Sequence, residues 1–150
     1  MKGVLFLTVI IFVQFINGCS NSPSPINYGE DNCEYCLMLI TDPKYGSELM
    51  TDKGKIYKFD SVECLAAYSF KNDPLNNWTK WVTDFYNPNN LINLKSAYFL
   101  KSQKLRSPMG LNLSAFSKGD HLQTIRNEFG GTKISWIELA KYVSEEWDEN

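Results

Sequence analysis

The sequence predicts an α+β protein: two small, diverged ββαβ-like halves packed as one compact unit behind a signal peptide and a flexible stalk. Three observations carry this. An uncharged apolar run occupies the N-terminus, strand-length apolar segments alternate with amphipathic helical ones, and the order strand, strand, helix, strand occurs twice. At 150 residues, 43% apolar and 21% charged, the composition is that of a folded chain rather than a disordered one. A formal net charge of −2 provides no basic field for nucleic acid.

Residues 1–18 read as a lipoprotein signal peptide. Lys2 precedes "GVLFLTVIIFVQFI", which has signal-peptide length and is short for a membrane-spanning helix. It ends in Ile16-Asn17-Gly18-Cys19, the pattern of a bacterial lipobox, so the chain is expected to be cut before Cys19 and lipidated there. That places it in the bacterial cell envelope, anchored to a membrane and facing the periplasm. Ser20 gives no obvious inner-membrane retention signal, which favours the outer membrane. Residues 19–32, rich in Ser, Pro and Asn, read as the stalk.

The folded unit is expected over residues 33–150, with halves at about 33–90 and 91–150. "LMLIT" reads as a short strand closed by Asp42-Pro43. "SELMT" and "KIYKF" flank Asp52-Lys53-Gly54 as a hairpin. "DSVECLAAYSF" reads as a helix capped by Asp60 with Glu63 completing a capping box, Val62, Leu65, Ala66 and Ser69 on one face, and Asp73-Pro74 as its stop. "WTKWVTDFY" returns as a strand, and "NPNNLINL" parts the halves. The second half repeats the order: "SAYFLKS" and "MGLNLSAF" as strands, "SKGDHLQTIRNEF" as a helix stopped at Gly130-Gly131, "TKISWI" as a strand, then the amphipathic "ELAKYVSEEW". Aligning Phe59 with Phe116 puts Cys64 and His121 at equivalent helix positions.

With Cys19 lipidated, three cysteines remain: Cys33, Cys36 and Cys64. An odd number cannot close into disulfides within one chain, and an oxidising envelope leaves a spare thiol exposed to oxidation. A bound metal or a redox role follows. Thiolate and thioether sulfurs are soft donors that favour Cu(I). Cys36 and Met38, two apart on the expected strand, would share a face, and Met109 in "SPMG" offers a third soft donor.

Other readings stay open. Cys33, Cys36, Cys64 and His121 would make a Cys3His zinc site in a structural lipoprotein. The C-x-x-C pair would serve thiol–disulfide exchange, although that chemistry needs a helix after the pair and the sequence there reads as a strand. A metal-free structural lipoprotein is the plainest. His121 also reads as an ordinary half-exposed helix residue, and Cys64 as an inert buried thiol. No nucleophile–base pair, phosphate loop or acid pair has catalytic spacing, so the chain reads as a non-enzyme.

"DNCEYCLMLI", "KIYKFDSVECLAAY", "WVTDF", "SAYFLKSQKLRSPMGLNLSAF" and "FGGTKISWIEL" together resemble the NosL family of copper-binding lipoproteins, in the same order over roughly residues 31–138. The shared pattern is a lipobox, a C-G-M segment, an F-D-D-x-x-C-M/L helix start and an S-P-M-G segment. The resemblance implies a Cu(I) metallochaperone, accessory to assembly of the copper centres of nitrous oxide reductase. That copper-receiving enzyme or its assembly complex would be the partner. Carried over, the ligands fall on Cys36, Met38 and Met109. Leu37 stands where the family carries glycine, adding bulk and removing backbone freedom. The family pattern assigns no role to Cys33.

Overall fold

The computed structural model describes residues 22–148; the expected signal peptide and Cys19 lie outside the described residues. Two antiparallel sheets, each built around a central strand, organise the chain. In the first, β1 (Ser47–Met50) lies between β2 (Ile56–Phe59) and β3 (Thr79–Thr83), and β4 (Leu91–Asn93) extends the sheet beyond β3. In the second, β5 (Tyr98–Lys101) lies between β6 (Leu113–Phe116) and β7 (Thr132–Ile134). Helix α1 (Val62–Asn72) follows β2, and α2 (Gly119–Phe129) follows β6. Each half therefore runs strand, strand, helix, strand, as the sequence repeat anticipates, and the sheets place the first strand of each half between the other two. A final helix, α3 (Trp136–Asp148), packs on α1. No helix among the described residues is long and apolar enough to cross a membrane.

The β1–β2 hairpin turns through Gly54 at φ +78°, a conformation glycine takes without steric cost. Helix α1 starts one residue later than its sequence suggests. Ser61, not Asp60, is the N-cap, and its hydroxyl accepts the Cys64 N–H at 3.4 Å. The one-residue shift removes Glu63 from a capping box and turns it into the interior, where it is buried. Val62, Leu65, Ala66 and Ser69 form the buried face as expected. Asp73 ends the helix and pairs with Lys80 at 2.6 Å, both side chains only 3% exposed.

The halves share one core. Phe59, Leu65 and Val82 from the first pack in one cluster with Phe99, Leu113 and Leu139 from the second. Burying each such side chain contributes about 1.5–3 kcal/mol. Polar links reinforce the seam: the Phe85 N–H donates to the Ala115 carbonyl at 2.8 Å, and the Ser117 hydroxyl donates to Asp84 at 2.5 Å.

Three expectations change. Residues 24–32 of the expected stalk are docked on the fold. The Ser24 N–H and hydroxyl donate to the buried Glu48 carboxylate, and Ile26 and Tyr28 pack on the core. A buried carboxylate needs such donors, which explains the docking. Residues 37–41 form no strand beyond one isolated bridge at Leu39. Finally, the Asn- and Pro-rich boundary between the halves carries β4 and a 3-10 turn, Leu94–Ser96.

Candidate metal centre

Residues 32–39 fold back as a tight hairpin. Asn32 bridges Leu39, the Cys33 N–H donates to the Met38 carbonyl at 2.8 Å, and the Leu37 N–H donates to the Cys33 carbonyl at 2.9 Å. Closing this turn puts Leu37 at φ +63°, the left-handed region that favours glycine. The glycine of the resembled C-G-M motif thus has a conformational reason, and this chain meets the same turn with leucine. The turn also overturns the strand argument for Cys36 and Met38, since alternation of faces requires an extended backbone between them. Two contacts fix the hairpin to β2: Glu34 N–H to the Lys58 carbonyl at 2.9 Å, and Lys58 Nζ to Asp31 at 2.6 Å.

This fold-back carries Cys33 and Cys36 to the first turn of α1. There the Sγ atoms of Cys33, Cys36 and Cys64 all lie within 4.8 Å of one another. Cys33 and Cys64 are buried, Cys36 is half-buried, and all three are free thiols. Three sulfurs at about 2.3 Å from one ion would stand about 4 Å apart, so the cluster needs little contraction to share a metal.

The electrostatics favour one negative charge in the cluster, on Cys33, and oppose a second beside it. The Cys64 thiol donates to Cys33, and with the backbone N–H groups of Cys36 and Asp60 it outweighs burial and brings Cys33 down to about 5. Cys64 is pushed up by the hydrogen bond it gives to Cys33 and by burial. Burial also raises Cys36, whose sulfur faces the Met38 N–H. The hydrogen bonds within the cluster thus favour the charge on Cys33 over its two neighbours. Beside it, burial and then the Cys33 charge raise Asp60 to about 6, and its Oδ1 is buried without a hydrogen-bond partner.

Met38 is 48% exposed, on the turn that carries Cys36. Met109 is half-buried and packs on the core cluster that includes Cys33 and Cys64. Its loop turns through Gly110 at φ +83°, whose N–H donates to the Ser107 carbonyl at 3.1 Å. His121 is not part of the thiol cluster: its ring stacks on Tyr86 with centroids 4.0 Å apart. The Cys3His set is therefore not assembled, though three of its four members are. Cys19 lies outside the described residues. Sequence reasoning missed Asp60 and Glu63 as buried carboxyls flanking Cys64, since both looked like capping residues.

Fold and site together define a small α+β protein with a donor set suited to a soft metal ion. The chain belongs to the NosL family, whose family model matches residues 25–143. A search of curated proteins finds no match. Among solved structures, the chain is similar to the copper chaperone NosL from Shewanella denitrificans. The TM-score is 0.68 at 24% identity, covering 78% of this chain and 94% of that one.

Proposed function

We propose that this chain is a lipid-anchored periplasmic metallochaperone that binds Cu(I) and supplies it for assembly of the copper centres of nitrous oxide reductase. It performs no catalysis of its own. The observation that carries the reading is the cluster of three free thiols within 4.8 Å, two of which, Cys36 and Cys64, fall on the resembled cysteine motifs. Soft thiolates prefer Cu(I) among the ions of an envelope compartment. Cys36, Met38 and Met109 are the ligands the family resemblance points to, and Cys36 joins the thiol cluster to the exposed Met38. A chaperone must hold its cargo against free solution and still release it, and a site with one open side meets both needs. The membrane anchor is Cys19 and the partner is the copper-receiving enzyme or its assembly complex.

Anaerobic titration of Cu(I) against a chelator of known affinity tests the binding. One tightly held equivalent is expected, and a Cys36→Ser variant that binds as tightly as the parent protein would sink the ligand assignment. For the client, nitrous oxide reductase isolated from cells lacking this protein is expected to be copper-deficient. A full copper complement there would redirect the function to another cuproprotein.

A further inference from the structure

The three thiols differ in what can reach them. Cys33 and Cys64 are 1% and 0% exposed, while Cys36 is half-buried beside Leu37 and Met38, which are 78% and 48% exposed. They also differ in how firmly they are held. Cys64 sits on the first turn of α1 with its N–H bonded to Ser61, and the Cys33 sulfur receives backbone N–H groups from Cys36 and Asp60. Cys36 rides on the turn that ends in the left-handed Leu37.

We propose that Cys33, Cys36 and Cys64 together hold one Cu(I) as a three-sulfur site, in which Cys33 and Cys64 are the retained ligands and Cys36 is the one surrendered at handover. This rests on the copper-binding reading above and assigns to Cys33 and Cys64 a role that the Cys36, Met38 and Met109 set leaves out. In the loaded state both buried sulfurs bond the ion from inside the fold. An incoming ligand approaches from the side of Cys36 and Met38, where the side chains are open to solvent. Handover is ligand exchange without redox change. A thiolate or thioether of the acceptor bonds to copper, the bond to Cys36 Sγ breaks, and Cys36 leaves as a thiolate that takes a proton from water. Met38 flanks this exit as a further soft donor, and the buried pair lets go last.

The test uses full-length protein prepared anaerobically in detergent with selenomethionine in place of methionine, loaded with one equivalent of Cu(I). Copper X-ray absorption is expected to show three sulfur neighbours and no selenium. A copper–selenium shell overturns the three-thiol site while leaving copper binding intact. Failure to bind Cu(I) at all overturns the reading beneath it.

Variants then rank the ligands. Cys33→Ser and Cys64→Ser are expected to lower Cu(I) affinity by more than the roughly 10–100-fold typical of losing an outer-shell partner. Cys36→Ser is expected to lower it least of the three. Unchanged affinity in folded Cys33→Ser, or a Cys36→Ser loss that exceeds both others, overturns the assignment. The absorption measurement uses no cysteine variant, so a variant that does not fold leaves the proposal falsifiable.

Discussion

The Ser107 hydroxyl donates to Glu63 Oε1 at 2.5 Å, tying the loop that carries Met109 to the helix turn that carries Cys64. The Leu113 N–H adds a longer contact to the same oxygen at 3.4 Å, and the Ser107 hydroxyl also accepts the Asn112 N–H at 2.9 Å. Glu63 is buried and its second oxygen has no partner, so this bond is its main compensation. Ser107→Ala is expected to destabilise the fold by about 1–3 kcal/mol, the cost of leaving a buried group unsatisfied. Chemical denaturation measures it; a change below about 0.5 kcal/mol would show that the bond is not the tie described here.

Leu37 occupies a left-handed conformation at 78% exposure, so its side chain gives the core little in return. That conformation costs a residue with a Cβ about 1–2 kcal/mol. Leu37→Gly is expected to stabilise the protein by up to about 1 kcal/mol after the entropy of glycine is counted, raising the melting temperature by ~2–5 °C. Copper affinity should not fall, because no sulfur is removed. A lower melting temperature would mean that the turn relies on the leucine side chain.

Asp73 and Lys80 form a buried ion pair whose remaining valences are filled: Asp73 also accepts the Asn77 and Trp78 N–H groups, and Lys80 donates to Asn76. Asp73→Asn strands the Lys80 charge and is expected to cost about 3–5 kcal/mol. Burial alone would raise the Asp73 carboxyl, but the hydrogen bonds and charge of its partners bring it below the ordinary range. A depressed folded value means stability that is present above the unfolded value of about 3.9 and is lost as pH falls through the folded one. Melts of Asp73→Asn should therefore lack part of the acid destabilisation seen in the parent below about pH 4. Identical acid limbs would remove Asp73 from that role.

In the copper-free protein, one thiolate is expected to titrate at a pH of about 5, read by ultraviolet thiolate absorbance, and Cys33→Ser should abolish it. The value reflects the hydrogen bond from Cys64 first and the backbone N–H groups after it. A first thiolate appearing only near the ordinary value of about 8.5 would show that those donors do not converge on Cys33.

Much of the fold is legible because local signals agree with it. Asp52-Lys53-Gly54 marks the first hairpin, the spacing of Val62, Leu65, Ala66 and Ser69 marks the buried face of α1, and the two halves repeat one order of elements. What is hidden depends on distant partners. "LMLI" has the composition of a strand, yet the Cys33–Met38 and Glu34–Lys58 backbone bonds close it into a turn. "SPSPIN" has the composition of a linker, yet the burial of Glu48 draws Ser24 onto the sheet. At the site, an odd thiol count pointed toward a metal. Only the fold places Cys64 against the C-x-x-C pair and sets His121 apart, even though the repeat makes those two residues equivalent.

The docking of Ser24 on Glu48 shortens the leash. If Cys19 bears the lipid, as proposed, four residues, 20–23, separate it from Ser24, a span of five residue steps. At full extension they reach about 17 Å. A domain so anchored would skim the bilayer instead of sweeping the space around it. On the proposed function, copper traffic through this protein would be confined to a shallow layer over the membrane, and whatever collects the cargo would have to come down to that layer to meet it.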